Sequence, residues 1–388
     1  MFASAQHINR DSYYGGGQDP NAYGNTTDLN WMAGSQYVYS FGKCIFMPAD
    51  LTAGIEFNQD KLEDNMWGYH RTVDQKVNIG SAFFQNEWKN EHWGFLIGGR
   101  LDKHNLIDHV IFSPRANLRY NPTENINLRF SYSSGFRAPQ AFDEDLHVEN
   151  VGGNVAMVEL ADNLKEERSQ SLSASADIYH RFGAFQVNFL VEGFYTKLSD
   201  VFALTDGEVV DGILTRTRYN APGARVMGLT LEGKMAYLTK FQVQAGVTLQ
   251  QSHYSEPHVW NKEAPAVKKM MRTPNTYGYF TATYTPIKPL SIALSGTYTG
   301  SMLVPHEPVP GFLEKPITVN TKDFFDIGLK AAYDFKLYKS MNLQVNAGVQ
   351  NIFNAYQNDF DKGADRDSGY IYGPSLPRSF FAGVKISY

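Results

Sequence analysis

No stretch of this 388-residue chain holds the roughly 18–20 consecutive apolar residues that a membrane-spanning helix needs. It has a single cysteine, Cys44, which rules out an internal disulfide framework and a thiolate metal cluster. There is no excess of positive charge. The formal net charge is −5, against the basic footprint of a general nucleic-acid binder. Met1–His7 has no basic segment followed by an apolar run, so no export signal is expected there, and an exported chain would be processed or a fragment. The motifs of common catalysts are missing as well: no G-x-S-x-G, no H-E-x-x-H, no P-loop and no dinucleotide fingerprint. Gly15-Gly16-Gly17 falls in an expected loop and is no phosphate cradle.

What the chain does have is aromatics, glycine and alternation. It contains 23 Tyr, 26 Phe and 33 Gly, a balance that suits strands, turns and interfacial aromatic girdles. Mean hydropathy is negative, as in barrel strands whose apolar and polar residues alternate. In the last stretch, Phe380, Ala382, Val384, Ile386 and Tyr388 share one face of an extended strand, with Phe381, Gly383, Lys385 and Ser387 on the other. The same period appears in 241–250, where Phe, Val, Ala, Val and Leu interleave with Gln, Gln, Gly, Thr and Gln, and in 171–178, 290–295 and 343–350. The polar rows carry Gln, Asn, Ser and Thr, which suits a wet interior better than a sandwich surface.

Sixteen strands are expected, at 3–14, 30–42, 49–59, 73–88, 92–102, 110–121, 125–136, 167–182, 184–203, 214–237, 241–254, 274–286, 290–301, 321–336, 341–352 and 378–388. Short turns at Lys89–Glu91, Asn121–Glu124, Arg181–Ala184, Leu238–Lys240, Pro286–Pro289 and Leu337–Ser340 take turns with long loops near 15–29, 60–72, 103–109, 137–166, 204–213, 255–273, 302–320 and 353–377. That rhythm points to an all-β, antiparallel up-and-down transmembrane barrel with its apolar rows against lipid.

Four segments, in order, resemble the TonB-dependent outer-membrane receptors in their barrel portion. Phe130-Ser131-Tyr132-Ser133-Ser134-Gly135-Phe136-Arg137-Ala138-Pro139 is similar to that family's strand ending in Gly-Phe-Arg-Ala-Pro. Asn163-Leu164-Lys165-Glu166-Glu167 resembles its Asn-Pro-x-Leu-Lys-Pro-Glu without either proline. Asn220, Ala224, Arg225, Gly228 and Glu232 resemble one of its barrel strands, and Gly348–Tyr356 with Pro377-Arg378 and the last strand resemble its C-terminal signature.

The resemblance implies one domain over 1–388, about 16 strands of a probable 22-stranded barrel, with the N-terminal plug and first strands missing. It implies energy-coupled import of a scarce nutrient and no enzymatic step. The implied partners are outer-membrane lipid, the barrel-assembly machinery and an inner-membrane TonB-type energy-coupling complex acting through the missing plug; no nucleic acid is implied. The expected cargo is an iron chelate, a ferric siderophore or haem, with no required cofactor. A cobalamin receptor, a passive porin-like pore, for which sixteen strands would suit, and a soluble all-β carbohydrate enzyme stand as alternatives.

The candidate site residues lie in the loops. Haem receptors of this family use a histidine between the Phe-Arg-Ala-Pro and Asn-Pro-x-Leu motifs, where His147 sits, and imidazole is an axial ligand for haem iron. Arg137 could face the lumen or the loops, although a strand-to-loop corner accounts for it too. His253, His258, Trp260, Met270 and Met271, with nearby lysines, could contact an anionic chelate. Asp359, Asp361, Asp365 and Asp367 present hard oxygen ligands for a loop calcium, in a spacing that is not an EF-hand. Phe380, Val384, Ile386 and Tyr388 form the strand that the assembly machinery would read. With the first strands of a full receptor missing, this closing strand is expected to leave a gap beside Tyr388 or to pair with residues 3–14.

Overall fold

A computed structural model describes residues 1–13, 23–139, 149–151, 154–210, 213–338, 340–363, 366–367, 369–374 and 376–388. Its strands begin with β1 (Phe2–Tyr13), β2 (Tyr23–Cys44), β3 (Met47–Met66), β4 (Arg71–Lys89), β5 (Trp93–His104), β6 (Ile111–Thr123) and β7 (Ile126–Arg137). Two short strands, β8 (Glu149–Val151) and β9 (Asn154–Leu160), precede β10 (Glu167–Phe182) and β11 (Phe185–Ser199). The hairpin β12 (Val201–Val210) and β13 (Ile213–Ala221) leads to β14 (Ala224–Tyr237), β15 (Phe241–His258) and β16 (Val267–Lys269). The chain continues through β17 (Thr276–Ile287), β18 (Leu290–Thr299), β19 (Leu303–His306) and β20 (Ile317–Asn320), and ends with β21 (Phe324–Tyr338), β22 (Met341–Gln350) and β23 (Ser379–Ser387).

Sixteen of these make one antiparallel wall in chain order: β1 to β7, β10, β11, β14, β15, β17, β18, β21, β22 and β23. The sixteen expected strands are therefore present. β16 is a three-residue addition at the far end of β15. No helix among the described residues is long and apolar enough to cross a membrane.

Directly paired residues point to the same side, so the registers define two faces. One register line runs Ala382, Ala347, Ala331, Ile292, Tyr284, Phe241, Tyr237, Phe185, Phe182 and is apolar throughout. A neighbouring line on the opposite face runs Asp177, Leu190, Glu232, Gly246, Tyr279, Thr297, Asp326. Side chains of the apolar face stand in the open: Ile55 is 65% exposed, Ile97 59% and Val384 67%. A soluble sheet would bury such a face, and burial of one Ile or Val is worth about 1.5–3 kcal/mol. Apolar exposure on this scale fits a lipid solvent.

Near the short turns the apolar face carries rings: Trp93 on Tyr120 (centroids 4.2 Å), Phe185 on Tyr237 (4.6 Å), Tyr333 on Phe335 (4.6 Å) and Phe46 on Trp88 (5.6 Å). Amphipathic rings are placed this way at a membrane interface. Hairpin turns need positive φ, which Gly183 supplies at +58° without steric cost.

Residues 23–29, expected in a long loop, belong to β2 and pair with β1, and three further details differ from the sequence expectation. Residues 60–72 are not a long loop, because β3 and β4 stay paired to Met66 and Arg71 around a tip at Trp67–Tyr69. The stretches 184–203 and 214–237 are not single wall strands. The chain leaves the wall at Asp200 (φ 54°) and returns at Gly223 (φ 93°), left-handed positions that break the pleat. The Asn220 side chain holds that exit closed, donating to Asp200 O at 2.8 Å and Lys165 O at 3.1 Å.

Among the described residues the wall does not close on itself. β1 pairs along β2 alone, from Phe2 opposite Gly34 to Tyr13 opposite Tyr23, and β23 pairs along β22 alone. Of the two expected outcomes beside Tyr388, the structure has the gap.

Candidate functional site: the loop crown and the polar wall below it

The described connections longer than a few residues rise from one end of the wall and form a crown. Its first part is a four-stranded sheet in the order β12, β13, β9, β8, with β13 and β9 parallel. At the tip of the β3–β4 hairpin, Arg71 reaches this sheet and donates to Val158 O at 2.6 Å. Arg137 lies 5.4 Å over the ring of Phe202 and Arg218 lies 5.5 Å from it, while Phe202 N donates to Glu167 Oε2 at 2.9 Å. Arg137 thus pins the crown hairpin at the strand-to-loop corner. Close by, Arg168 and His109 meet Glu166 at 2.7 and 3.1 Å. Burial alone would raise the Glu166 carboxyl; the bonds from Arg168 outweigh it and hold it below the ordinary glutamate value.

The second part is a buried polar knot. His306, at the end of β19, sits 2.8 Å from Asp361 and stacks on Tyr370 with centroids 3.8 Å apart. Tyr372 and Tyr370 donate to Asp359 at 2.6 and 3.2 Å. Burial, and then the Asp359 carboxylate beside it, push the Tyr372 hydroxyl well above the tyrosine range, so it remains a donor. Asp367 accepts from Glu307 N at 2.9 Å and Gly369 N at 2.8 Å. Glu307 in turn meets Arg216 at 3.3 Å and Asn261 at 3.0 Å, and Arg272 donates to Ile371 O at 2.8 Å. Four loops therefore meet at one node, over an apolar cluster of Val304, Phe324, Tyr370 and Tyr372.

Three of the four loop carboxylates expected to bind calcium take part in that node. Asp359, Asp361 and Asp367 face protein donors, and among the described residues no group of three or more acids, histidines or cysteines is placed to hold a metal ion. Asp365 lies outside the described residues, as does His147.

The other expected contacts line up along the top of β15. His253 is opposite Lys269, and Met270 N donates to Ser252 O at 3.0 Å. His258 lies against Tyr254, with ring centroids 4.8 Å apart, and burial lowers its pKa. The Trp260 indole N–H is buried without an acceptor among the described residues. Met271 begins the turn after β16, where Thr273 Oγ1 donates to its carbonyl at 3.0 Å.

His306, Glu307, Arg216, Tyr370 and Tyr372 were not anticipated. The available signals were a His-Glu pair between Pro305 and Pro308 and the alternation Tyr370-Ile371-Tyr372, but neither discloses contacts across 55 and more residues.

Below the crown, the polar face is hydrogen-bonded strand to strand. Arg100 pairs with Glu56 and Asp102, both at 2.7 Å, and Ser81 donates to Asp102 at 2.6 Å. Lys234 pairs with Glu232 at 2.7 Å; Tyr279 also donates to Glu232 and accepts from Gln244 at 2.7 Å. Asn117 donates to Ser131 at 2.6 Å. Such a face suits water and hydrogen-bonding solutes.

A family model described as TonB dependent receptor-like, beta-barrel, matches residues 2–352. Among solved structures, the chain is similar to a point mutant of the ferric enterobactin receptor PfeA from Pseudomonas aeruginosa, at 17% identity and TM-score 0.69, over 98% of this chain and 58% of that one. It is similar to the siderophore receptor PirA from Pseudomonas aeruginosa, at 15% identity and TM-score 0.65, over 93% and 57%. It is also similar to the ferric-catecholate import receptor Fiu from E. coli K12, at 15% identity and TM-score 0.67, over 93% and 55%. The chain thus spans 55–58% of the length of these structures. None of the curated proteins matches it.

Proposed function

The chain belongs to the TonB-dependent receptor family through its β-barrel, and on that premise we propose that it serves as the barrel of an outer-membrane receptor importing an iron chelate. Family and structural neighbours are transport receptors rather than enzymes. The observation that supports the reading most is the polarity of the wall: the described long loops rise from one end, above a face rich in hydroxyls, carboxamides and paired charges. That arrangement supplies an outer binding surface and a hydrophilic path behind it.

In this proposal the crown binds the chelate outside a Gram-negative outer membrane. The energy comes from an inner-membrane TonB-type complex acting on a plug segment. The cargo is a ferric siderophore, the chemistry that the neighbours' names share.

The test uses the chain refolded in detergent, with a heat-modifiable band on a gel as the criterion of folding. Ferric and iron-free forms of a catecholate siderophore are then titrated. Preference for the ferric form supports the proposal. A folded barrel that binds neither form removes ferric catecholates as its cargo.

A further inference from the structure

Just under the crown, on the polar face, β17, β18, β21 and β22 line an open cavity of about 570 Å³ that Pro374, Leu376 and Pro377 border on the crown side. That border is held in place, since Asn351 Nδ2 donates to Leu376 O at 2.9 Å and to Ala355 O at 3.0 Å. The floor is open because Gly328 has no side chain, and a Cβ there would stand 3.3 Å from Ser295 Oγ. Into this space faces Asp326, directly opposite Thr297.

Most carboxylates of the polar face are answered by the protein. Glu56 and Asp102 have Arg100, Asp50 has Lys89, Glu232 has Lys234, and Asp177 accepts from Tyr179. Asp326 is half-buried and makes no hydrogen bond or ion pair with a described residue. The next cation on the polar face of its own strand is Lys330, four residues along, about 13 Å away at the usual strand rise. Around Asp326 the lining is hydroxyl and carboxamide, from Ser295, Thr297 and Gln350, and no cation lines the cavity.

We propose that this cavity binds the ammonium arm of the cargo, with Asp326 as its counter-ion. The proposal rests on the iron-chelate reading and narrows it to chelates that carry a primary ammonium on an aliphatic arm. A half-buried carboxylate without a partner among the described residues favours a cation over a neutral hydroxyl, because charge-assisted bonds are roughly twice as strong as neutral ones. The surrounding hydroxyls accept the remaining ammonium protons, and the proline-leucine border packs on the methylenes.

The experiment compares a ferric trihydroxamate bearing one free ammonium arm with its N-acetylated form, on the refolded chain. The wild-type chain is expected to prefer the ammonium form by roughly tenfold, the value of one charge-assisted hydrogen bond. Asp326→Asn should bring both forms to the affinity of the acetylated one. Gly328→Val, which fills the floor without changing charge, should also abolish the preference.

A wild-type chain that binds both forms equally, or variants that keep the preference, would overturn the inference and leave the iron-chelate reading standing. Binding of a ferric catecholate, but of neither hydroxamate, would do the same. Failure of all three chelates to bind would remove both readings.

Discussion

The wall and the crown are built from the same chain by opposite means. In the wall, each residue's role follows from its parity. Ala174 pairs with Phe130 and Gly193 on the apolar face, and its neighbour Ser173 pairs with Ser131 and Phe194 on the polar one. Stability there is distributed over many repeated pairings between neighbouring strands. In the crown, order is concentrated in a few buried polar contacts, such as His306 with Asp361 and Glu307 with Arg216. Repetition tolerates single losses; a knot does not. The difference teaches where the molecule absorbs a single substitution and where it does not.

The largest expected effect comes from cutting the knot. Asp361→Ala takes the acceptor from the His306 ring and from the Asp367 N–H, two polar groups orphaned at about 1–3 kcal/mol each. Hydrogen exchange should show residues 351–378 losing protection while wall strands keep theirs. Equal loosening of wall and crown would mean that the two are not separate.

Next is the parity test. Ala174→Arg puts a cation on the apolar face and should cost about 2–4 kcal/mol near the bilayer midplane, whereas Ser173→Arg should cost little. Urea unfolding in lipid vesicles measures both, and equal costs would abolish the assignment of faces.

That parity was legible in the sequence. The number of strands, the alternation of short and long connections and the faces of Phe380–Tyr388 all followed from a period of two, because a strand's geometry is local. The crown was legible only as loops. Asp359, Asp361 and Asp367 looked like calcium ligands because their spacing is local, while their partners His306 and Tyr372 were set by folding across the wall. The same applies to Asp326: its acidity is written in the sequence, its lack of a partner among the described residues is not.

A smaller effect is expected where a ring lies over a glycine of the next strand. At Gly296 a Cβ would meet the Phe280 ring at 2.2 Å, so Gly296→Ala should destabilise the wall by about 1–3 kcal/mol, as overpacking does. Phe280→Leu in the same chain should recover part of that loss in the same urea titration.

The smallest effect is a pH dependence confined to the crown. Burial lowers the His258 pKa, so the unfolded loop takes up the proton first, and local stability declines as pH falls below about 6.5. Glu166 behaves as a depressed carboxylate. Its contribution is full above the ordinary glutamate value and is lost only as pH falls through its lowered one. Hydrogen exchange at pH 7.5 and 5.5 should therefore loosen the top of β15 and leave the Glu166 contacts protected.

The division between a lipid-facing wall and a water-facing crown is tested most directly by tryptophan quenching. Trp88 and Trp93 lie on the apolar face near the short turns, and Trp67 and Trp260 lie in the crown. Versions of the chain that keep one tryptophan each are reconstituted in vesicles of brominated phospholipid. The account predicts strong quenching at Trp88 and Trp93 and little at Trp67 and Trp260. Equal quenching at all four, or none at Trp88 and Trp93, would contradict it.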